Sequence, residues 1–171
     1  MLVHRVVILL DNSEFSRQIL PQVRRFISPE ENKLYLLYVA PQPRGLINQP
    51  TQPAAVEWPE PMYASHSDAK FARHPIFASQ VEDSLIAEIE KDFSPDVRWL
   101  EAAGYTVTVA VKFGNPAREI MDFVKEENID LIAMTTHSRS GLGQLIFGSV
   151  AEEILHNVSV PILLLHPCEN N

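Results

Sequence analysis

At 171 residues the chain is long enough for one domain with a sizeable buried core, and 46% hydrophobic with 21% charged residues is an ordinary globular composition. A formal net charge of −8 speaks against a nucleic-acid partner, whose binders carry a basic face, and leaves room for a small anion held by local dipoles. No apolar run approaches the roughly 18 residues that span a bilayer, the start MLVHRVVILLDNS is too short and too poor in basic residues for a signal peptide, and a single cysteine, Cys168, rules out an internal disulfide and suits a reducing cytoplasm.

Val6 to Leu10 is a continuous apolar run, which predicts a strand buried on both faces of a parallel sheet. Asn12-Ser13 offers an N-cap, after which Phe15, Ile19, Leu20, Val23 and Ile27 recur at helical spacing, with a kink expected at Pro21. Lys33 to Val39, KLYLLYV, predicts a second buried strand. From Ala40 to about Pro75 no periodicity holds. Six of the 13 prolines fall between Pro41 and Pro61, which predicts a long irregular insert.

A helical stripe then resumes with Val81, Leu85, Ile86, Ile89 and Phe93. Ser94-Pro95-Asp96 either kinks this helix or caps a new one carrying Val97 and Leu100, and Gly104 ends it. Tyr105 to Val111 alternates as a third strand. Asn115 caps the next helix with Pro116 at its first position and Ile120, Phe123 and Val124 inward. Asp130 to Met134 is a fourth strand; a helix begins near Ser149 with Val150, Ile154 and Leu155 inward; Pro161 to Leu165 is a fifth strand with proline at its tolerated first position. Strands alternating with helices predict right-handed crossovers and an α/β parallel sheet covered on both faces, with a ligand crevice beyond the strands' carboxyl ends. Asp11, Val39 and the loop after the fourth strand all lie at such ends.

That loop, MTTHSRSGLGQLIFGSV, lacks a P-loop lysine and a dinucleotide glycine spacing. The segment GNPAREIMDFVKEENIDLIAMTTHSRSGLGQLIFGSVAEEILHNVSVPILLLHP resembles the universal stress protein family along its whole length, and VVILLDNSEFSRQILP resembles that family's first strand and helix. The resemblance thus covers all but the proline-rich insert. It implies an open, mostly parallel five-stranded sheet in the order 3-2-1-4-5 with helices on both faces, Rossmann-like and adenine nucleotide alpha hydrolase-like. It also implies a single domain over 1–171 with an insert at about 40–75.

The nucleotide-binding branch of the family is marked by Gly, two residues, Gly, nine residues, Gly, then Ser or Thr. Here Thr135 and Ser138 stand at the first two glycines, and Gly148-Ser149 matches the end. Thr and Ser add bulk and restrict φ where glycine admits positive φ and close ligand approach, but they keep the backbone N–H and add a hydroxyl. Gly141 and Gly143 restore flexibility, Arg139 can reach a phosphate, and Gly148-Ser149-Val150 opens a helix whose N–H groups and dipole favour an anion. The residues expected to hold a nucleotide are Leu10, Asp11, Val39, Met134, Thr135, Thr136, Ser138, Arg139, Gly148, Ser149 and Val150. Asp11 is placed to contact ribose or base, and Val39 would offer backbone to an adenine edge.

Other groups carry less. His137 beside Ser138 suggests a Ser-His pair, but no carboxylate in the motif is placed to orient it. His66, Asp68 and His74 lack ligand spacing and read as solvated residues, and the acidic stretch Glu82 to Asp92 as a solvated helix face. The expectation is a cytoplasmic stress-response sensor or regulator that binds ATP or AMP, with or without Mg, and uses no redox cofactor. It is expected to act as a homodimer through strand 160–166 on a regulatory protein partner, with no membrane and no nucleic acid. It would not be an enzyme, and no catalytic residue or metal ligand is assigned. The alternatives are a nucleotide-free interaction module of the same fold and a slow ATP hydrolase. Replacing Arg139 by alanine is expected to weaken ATP more than adenosine, because only ATP carries the charge being paired; titration calorimetry with both ligands checks this.

Overall fold

The computed structural model describes residues 3–42, 75–136 and 148–166. His66, Asp68, His74, His137, Ser138, Arg139, Gly141, Gly143 and Cys168 lie outside the described residues, as does the stretch 43–74 of the insert. The chain divides into two compact units, Met1–Pro41 together with Ile89–Asn171 and, separately, Gln42–Glu88. The sheet belongs wholly to the first, and the described part of the second is helical from Pro75 onward.

Five parallel strands, β1 (His4–Leu9), β2 (Asn32–Ala40), β3 (Thr106–Phe113), β4 (Leu131–Thr135) and β5 (Ile162–Leu165), form one sheet in the order β3-β2-β1-β4-β5. This is the order the resemblance implies. Five helical segments accompany them among the described residues: α1 (Glu14–Arg17), α2 (Ile19–Phe26), α3 (Pro75–Glu101), α4 (Pro116–Glu126) and α5 (Ser149–Asn157). β1 is central, with Val6 opposite both Leu34 and Leu131, and Ile8 opposite both Leu36 and Ala133.

Because successive strand side chains point to opposite faces, the apolar runs build two cores. Val6, Ile8, Leu34, Leu36 and Ala133 pack with Ile19, Leu20 and Val23 of α2 and Phe93 and Leu100 of α3. Val7, Tyr35, Leu37, Ile132 and Met134 pack with Ile120, Phe123 and Val124 of α4 and Ala151 and Ile154 of α5. An uninterrupted apolar run is the signature of such a doubly covered strand.

The local signals explain the element ends. Ser13 is the N-cap of α1 and accepts from Ser16 N at 3.0 Å. The kink expected at Pro21 surfaces three residues earlier, at Gln18, whose N–H bonds Phe15 O at 3.2 Å in a tightened turn. Pro21 has no N–H for the Arg17 carbonyl and its ring crowds that oxygen, so the helix breaks on the upstream side. Pro95, in contrast, neither breaks α3 nor starts a new helix: α3 runs through it to Glu101. Pro95 and Lys91 both lie on the exposed side, where water can take the carbonyl that Pro95 leaves without an amide. Gly104, at φ +95°, closes the helix by donating to Glu101 O at 2.9 Å.

Two expectations are corrected. β3 reaches Phe113, beyond Val111, because Gly114 N donates to Ala40 O at 3.0 Å and carries the β2–β3 ladder onward. Leu155 does not face inward. It is 37% exposed while Ala151 and Ile154 are buried, so the inner face of α5 centres on those two and leaves Leu155 at its border.

Tyr105, immediately before β3, is buried and its hydroxyl donates to Ile27 O at 2.5 Å, tying the end of α2 to the sheet. Burial raises its phenol above the ordinary value of 10.0, so the folded state holds the neutral form. The stability this contributes is complete below pH 10.0 and is lost as pH rises through the folded value. Tyr105→Phe is expected to lower unfolding free energy by about 1 kcal/mol, seen as a reduced urea midpoint at pH 7, and to flatten the loss of stability in alkali.

Candidate functional site

The carboxyl ends of β1, β2 and β4 meet the start of α5 around a cavity of about 330 Å³. That lies at the lower end of the range of small-molecule sites. β1 contributes Leu9 and, past its end, Leu10 and Asp11; Leu10 N still bonds Leu37 O at 3.0 Å, so the ladder holds up to the residue before Asp11.

The turn beyond β1 is set by its own polar side chains. Asp11 Oδ1 accepts from Ser13 N at 3.1 Å and from Ser13 Oγ at 2.5 Å, Asn12 takes a left-handed φ of 63°, and the buried Ser16 Oγ accepts from Asp11 N at 3.3 Å while donating to Ser13 O at 2.9 Å. Asn tolerates this conformation better than other non-glycine residues. Asp11 itself is exposed at the cavity mouth, and it is not the helix cap, a role Ser13 fills.

The same turn is anchored to α3. Arg17 Nε meets Asp96 Oδ2 at 2.9 Å with both side chains mostly buried, Arg17 Nη2 reaches Asn12 Oδ1 at 2.9 Å, and Asn12 Nδ2 donates to Asp92 Oδ2 at 3.0 Å. The hydrogen bond that Arg17 donates to Asp96 holds its guanidinium still more firmly protonated than usual, against the opposing pull of burial.

β2 supplies Leu37 and Val39, two residues apart and so on one face; Val39 is half-buried against the second core. β4 and the residue after it supply Met134, Thr135 and Thr136. Thr135 is a strand residue in register with Leu165, and among the described residues only Asn12 and Asn128 combine a side chain with positive φ. The backbone at Thr135 therefore does not need the glycine of the family pattern, and a β-branched residue suits it.

Thr136 is 3% exposed. Its N–H donates to Leu165 O at 2.9 Å and its carbonyl lies 3.3 Å from His166 Nδ1, yet its hydroxyl Oγ1 is the buried side-chain polar atom without a hydrogen-bond partner among the described residues.

Gly148, Ser149, Val150 and Ala151 close the cavity from α5. Gly148 is the N-cap, at φ −62° and ψ 154°, and caps with no side chain, so the first-turn N–H groups are presented by backbone alone. A Cβ on Gly148 would meet nothing within 4 Å. Neither φ nor packing demands glycine here, so of the two reasons for glycine in such a loop only close approach of a ligand applies.

Nine of the eleven sequence-predicted residues thus come together at this cavity, and the other two, Ser138 and Arg139, lie outside the described residues. Sequence reasoning missed Leu9, Ser16, Leu37, Pro116, Ile120 and Ala151, which also line it. Three of them were legible by spacing: Leu37 shares the strand face of Val39, and Pro116 and Ile120 are one helical turn apart. Asp11 is the one charged side chain among the described lining residues, and no cluster of His, Cys, Asp or Glu suited to a metal occurs among the described residues. No helix among them is long and apolar enough to cross a membrane.

With this geometry in view, the comparisons are specific. The family model of the universal stress protein family matches residues 3–166. The chain is 26% identical over 89 residues to universal stress protein MJ0577 of Methanocaldococcus jannaschii, covering 52% of this chain and 55% of that relative, so the match spans about half the relative's length. It is 23% identical over 162 residues to universal stress protein Sll1388 of Synechocystis sp., covering 94% and 96%. The solved structure of MJ0577 superposes over 99% of this chain and 100% of its own, with a TM-score of 0.68 at 19% identity. Two similar structures contain ligands: a universal stress protein in complex with cAMP (TM-score 0.59, 14% identity, 97% of this chain and 98% of that one) and one from Archaeoglobus fulgidus in complex with dAMP (TM-score 0.57, 14% identity, 96% and 98%). At such identities the structures establish the fold, the adenine nucleotide alpha hydrolase-like sheet, and the family model, matched across every strand, establishes membership: the chain belongs to the universal stress protein family.

Proposed function

We propose that this chain binds an adenine nucleotide in the cavity between β1, β4 and α5, and acts as a homodimeric sensor or regulator of a partner protein without turning the nucleotide over. The observation that carries this reading is the cavity itself. An apolar chamber at the strands' carboxyl ends has a helix N-terminus on one side, capped by backbone alone, and a carboxylate held by its own turn on the other. Apolar walls suit a base, the carboxylate of Asp11 suits ribose hydroxyls, and the N–H groups at Gly148-Ser149-Val150 suit a phosphate. The cAMP and dAMP complexes of structural relatives point the same way. AMP and ATP, with or without Mg, both fit this chemistry, and a nucleotide that is held rather than cleaved suits a signalling role.

The edge strand β5 supports the dimer. Among the described residues it pairs only with β4, its four residues are half-buried, and no charge interrupts ILLL. An apolar edge of this kind is one that proteins cover or pair, and pairing with its own copy would be isologous.

Gly148→Asp puts a carboxylate where the phosphate is held. Asp is also a good N-cap, and open space surrounds the position. Nucleotide affinity is expected to fall about tenfold while apo stability stays level or rises by a few tenths of a kcal/mol. Calorimetric titration and urea denaturation measure the two, and unchanged affinity would place the phosphate elsewhere. For assembly, Leu163→Lys is expected to raise the dimer dissociation constant by at least about tenfold. Light scattering at micromolar concentration reads the result, and a monomeric mass for the unmodified protein defeats the dimer.

A further inference from the structure

We propose that the end of α2 and the facing flank of α3 form a docking surface for an acidic segment of a partner protein, one whose adjacent carboxylates are flanked by apolar side chains. The proposal gives a place to the partner in the reading above. It needs no nucleotide, so it can fail while the nucleotide site stands. Its basis is a strip of four exposed side chains in the order Trp99, Arg24, Arg25, Phe26. Arg24 lies over the Trp99 ring at 4.2 Å from its centroid, bridging α2 and α3, and Arg25 lies over the Phe26 ring at 5.3 Å. Trp99 is 41% and Phe26 66% exposed, and both arginines are exposed. Val23 is fully buried, so at about 3.6 residues per turn Arg24 and Phe26 fall on opposite flanks of α2 with Arg25 outermost between them.

Two features set this strip apart. In the other cation–ring pairs among the described residues the ring is a core ring, Phe93, Tyr35 or Phe123, and the contact belongs to the packing. Here both rings face water beside arginines, the combination that anchors protein interfaces. Secondly, Arg5, Arg17 and Arg118 each meet a carboxylate and Arg98 bonds Ser94 Oγ, whereas no carboxylate meets Arg24 or Arg25 among the described residues. Glu30, whose charge like that of Arg24 reaches the Tyr105 phenol, is itself bonded by Ser28 Oγ.

An arginine laid on a ring keeps its N–H edge outward, and that fork matches a carboxylate. Two such forks side by side, on a chain whose formal net charge is −8, make a local positive strip complementary to an acidic segment. A nucleic-acid backbone would be repelled by the rest of the surface. Trp99 and Phe26, at the two ends, take the apolar side chains.

The experiment is heteronuclear NMR on the isotope-labelled full chain without nucleotide. It is titrated with a peptide repeating Leu-Glu-Glu-Leu, the Leu-Gln-Gln-Leu counterpart and an oligouridine RNA. The glutamate peptide is expected to shift the Trp99 indole and the Arg24 and Arg25 signals, to bind at least about tenfold more tightly than the glutamine peptide, and to weaken with salt. Arg24→Glu and Trp99→Leu each weaken it about tenfold. Arg24→Lys, which keeps the charge and loses the fork, weakens it less. Arg118→Glu, the same charge change on α4 of the opposite face, leaves it unchanged, and urea midpoints show that each variant is folded. Should Trp99→Leu not fold, Arg24→Glu and Arg25→Glu decide.

Equal binding of the two peptides, no perturbation at the strip, or an Arg118→Glu loss as large as that of Arg24→Glu overturns the proposal. Tighter binding of the RNA overturns it in favour of nucleic acid. A change of oligomeric mass in Arg24→Glu, read by light scattering, overturns it in favour of a second copy of the chain.

Discussion

The arrangement depends on one constraint, that β1 is hydrogen-bonded along both edges. Val6, Val7 and Ile8 pair with β2 on one side and β4 on the other and helices cover both faces, so these three side chains are apolar and the chain can only leave at the end. The chain leaving β1 goes to the face covered by α2 and α3, whereas the chain leaving β4 goes to the face covered by α5. Two neighbouring strands whose continuations diverge to opposite faces leave a crevice between them. The cavity sits there because of the order β2-β1-β4, and any sequence that keeps this order and two apolar faces will open it.

Polar residues then give the crevice its shape. Asp11 would be one flexible carboxylate at a strand end if Ser13 did not bond it and Arg17 did not lash the turn to Asp96. The Arg17–Asp96 contact is mostly shielded from water, so it retains more of its electrostatic strength than a surface pair would. Holding Asp11 falls to this turn and to α3, whereas the α5 side is organised by backbone. One wall of the cavity is therefore set by side-chain bonds and the other by a helix end.

Much of this was legible in the sequence because the signals were local and unopposed. VVILL and KLYLLYV could be little other than buried strands, PILLL reads as a strand opened by its proline, and Asn115-Pro116 is a cap with its first residue. The misses came where a second influence intervened. Pro21 acted on the carbonyl upstream of it, and the inner face of α5 settled on Ala151 rather than Leu155. At the site, the strand-end positions were readable from topology. Ser16 was not, since nothing in its spacing says that its hydroxyl bridges Asp11 and Ser13. Nor could the sequence tell that Thr135 occupies a strand position, which makes its departure from the glycine pattern harmless to the backbone.

The central place of β1 also bears on how the chain is made. β1 emerges from the ribosome first and finds β2 soon afterwards, but its second edge is matched only by Leu131 to Ala133, more than 120 residues later, as the 125-residue separation of the Arg5–Asp130 contact shows. Until then the nascent protein carries an open apolar strand bordered by Val6, Val7 and Ile8, the kind of edge that recruits wrong partners. At a synthesis rate of about 5–20 residues per second, that exposure lasts on the order of ten seconds. Lengthening the segment between β2 and α3 adds little to the equilibrium closure term, which grows only with the logarithm of loop length. It extends this vulnerable interval in direct proportion, so the burden of a long insert in this fold falls on kinetics and chaperones rather than on the stability of the finished sheet.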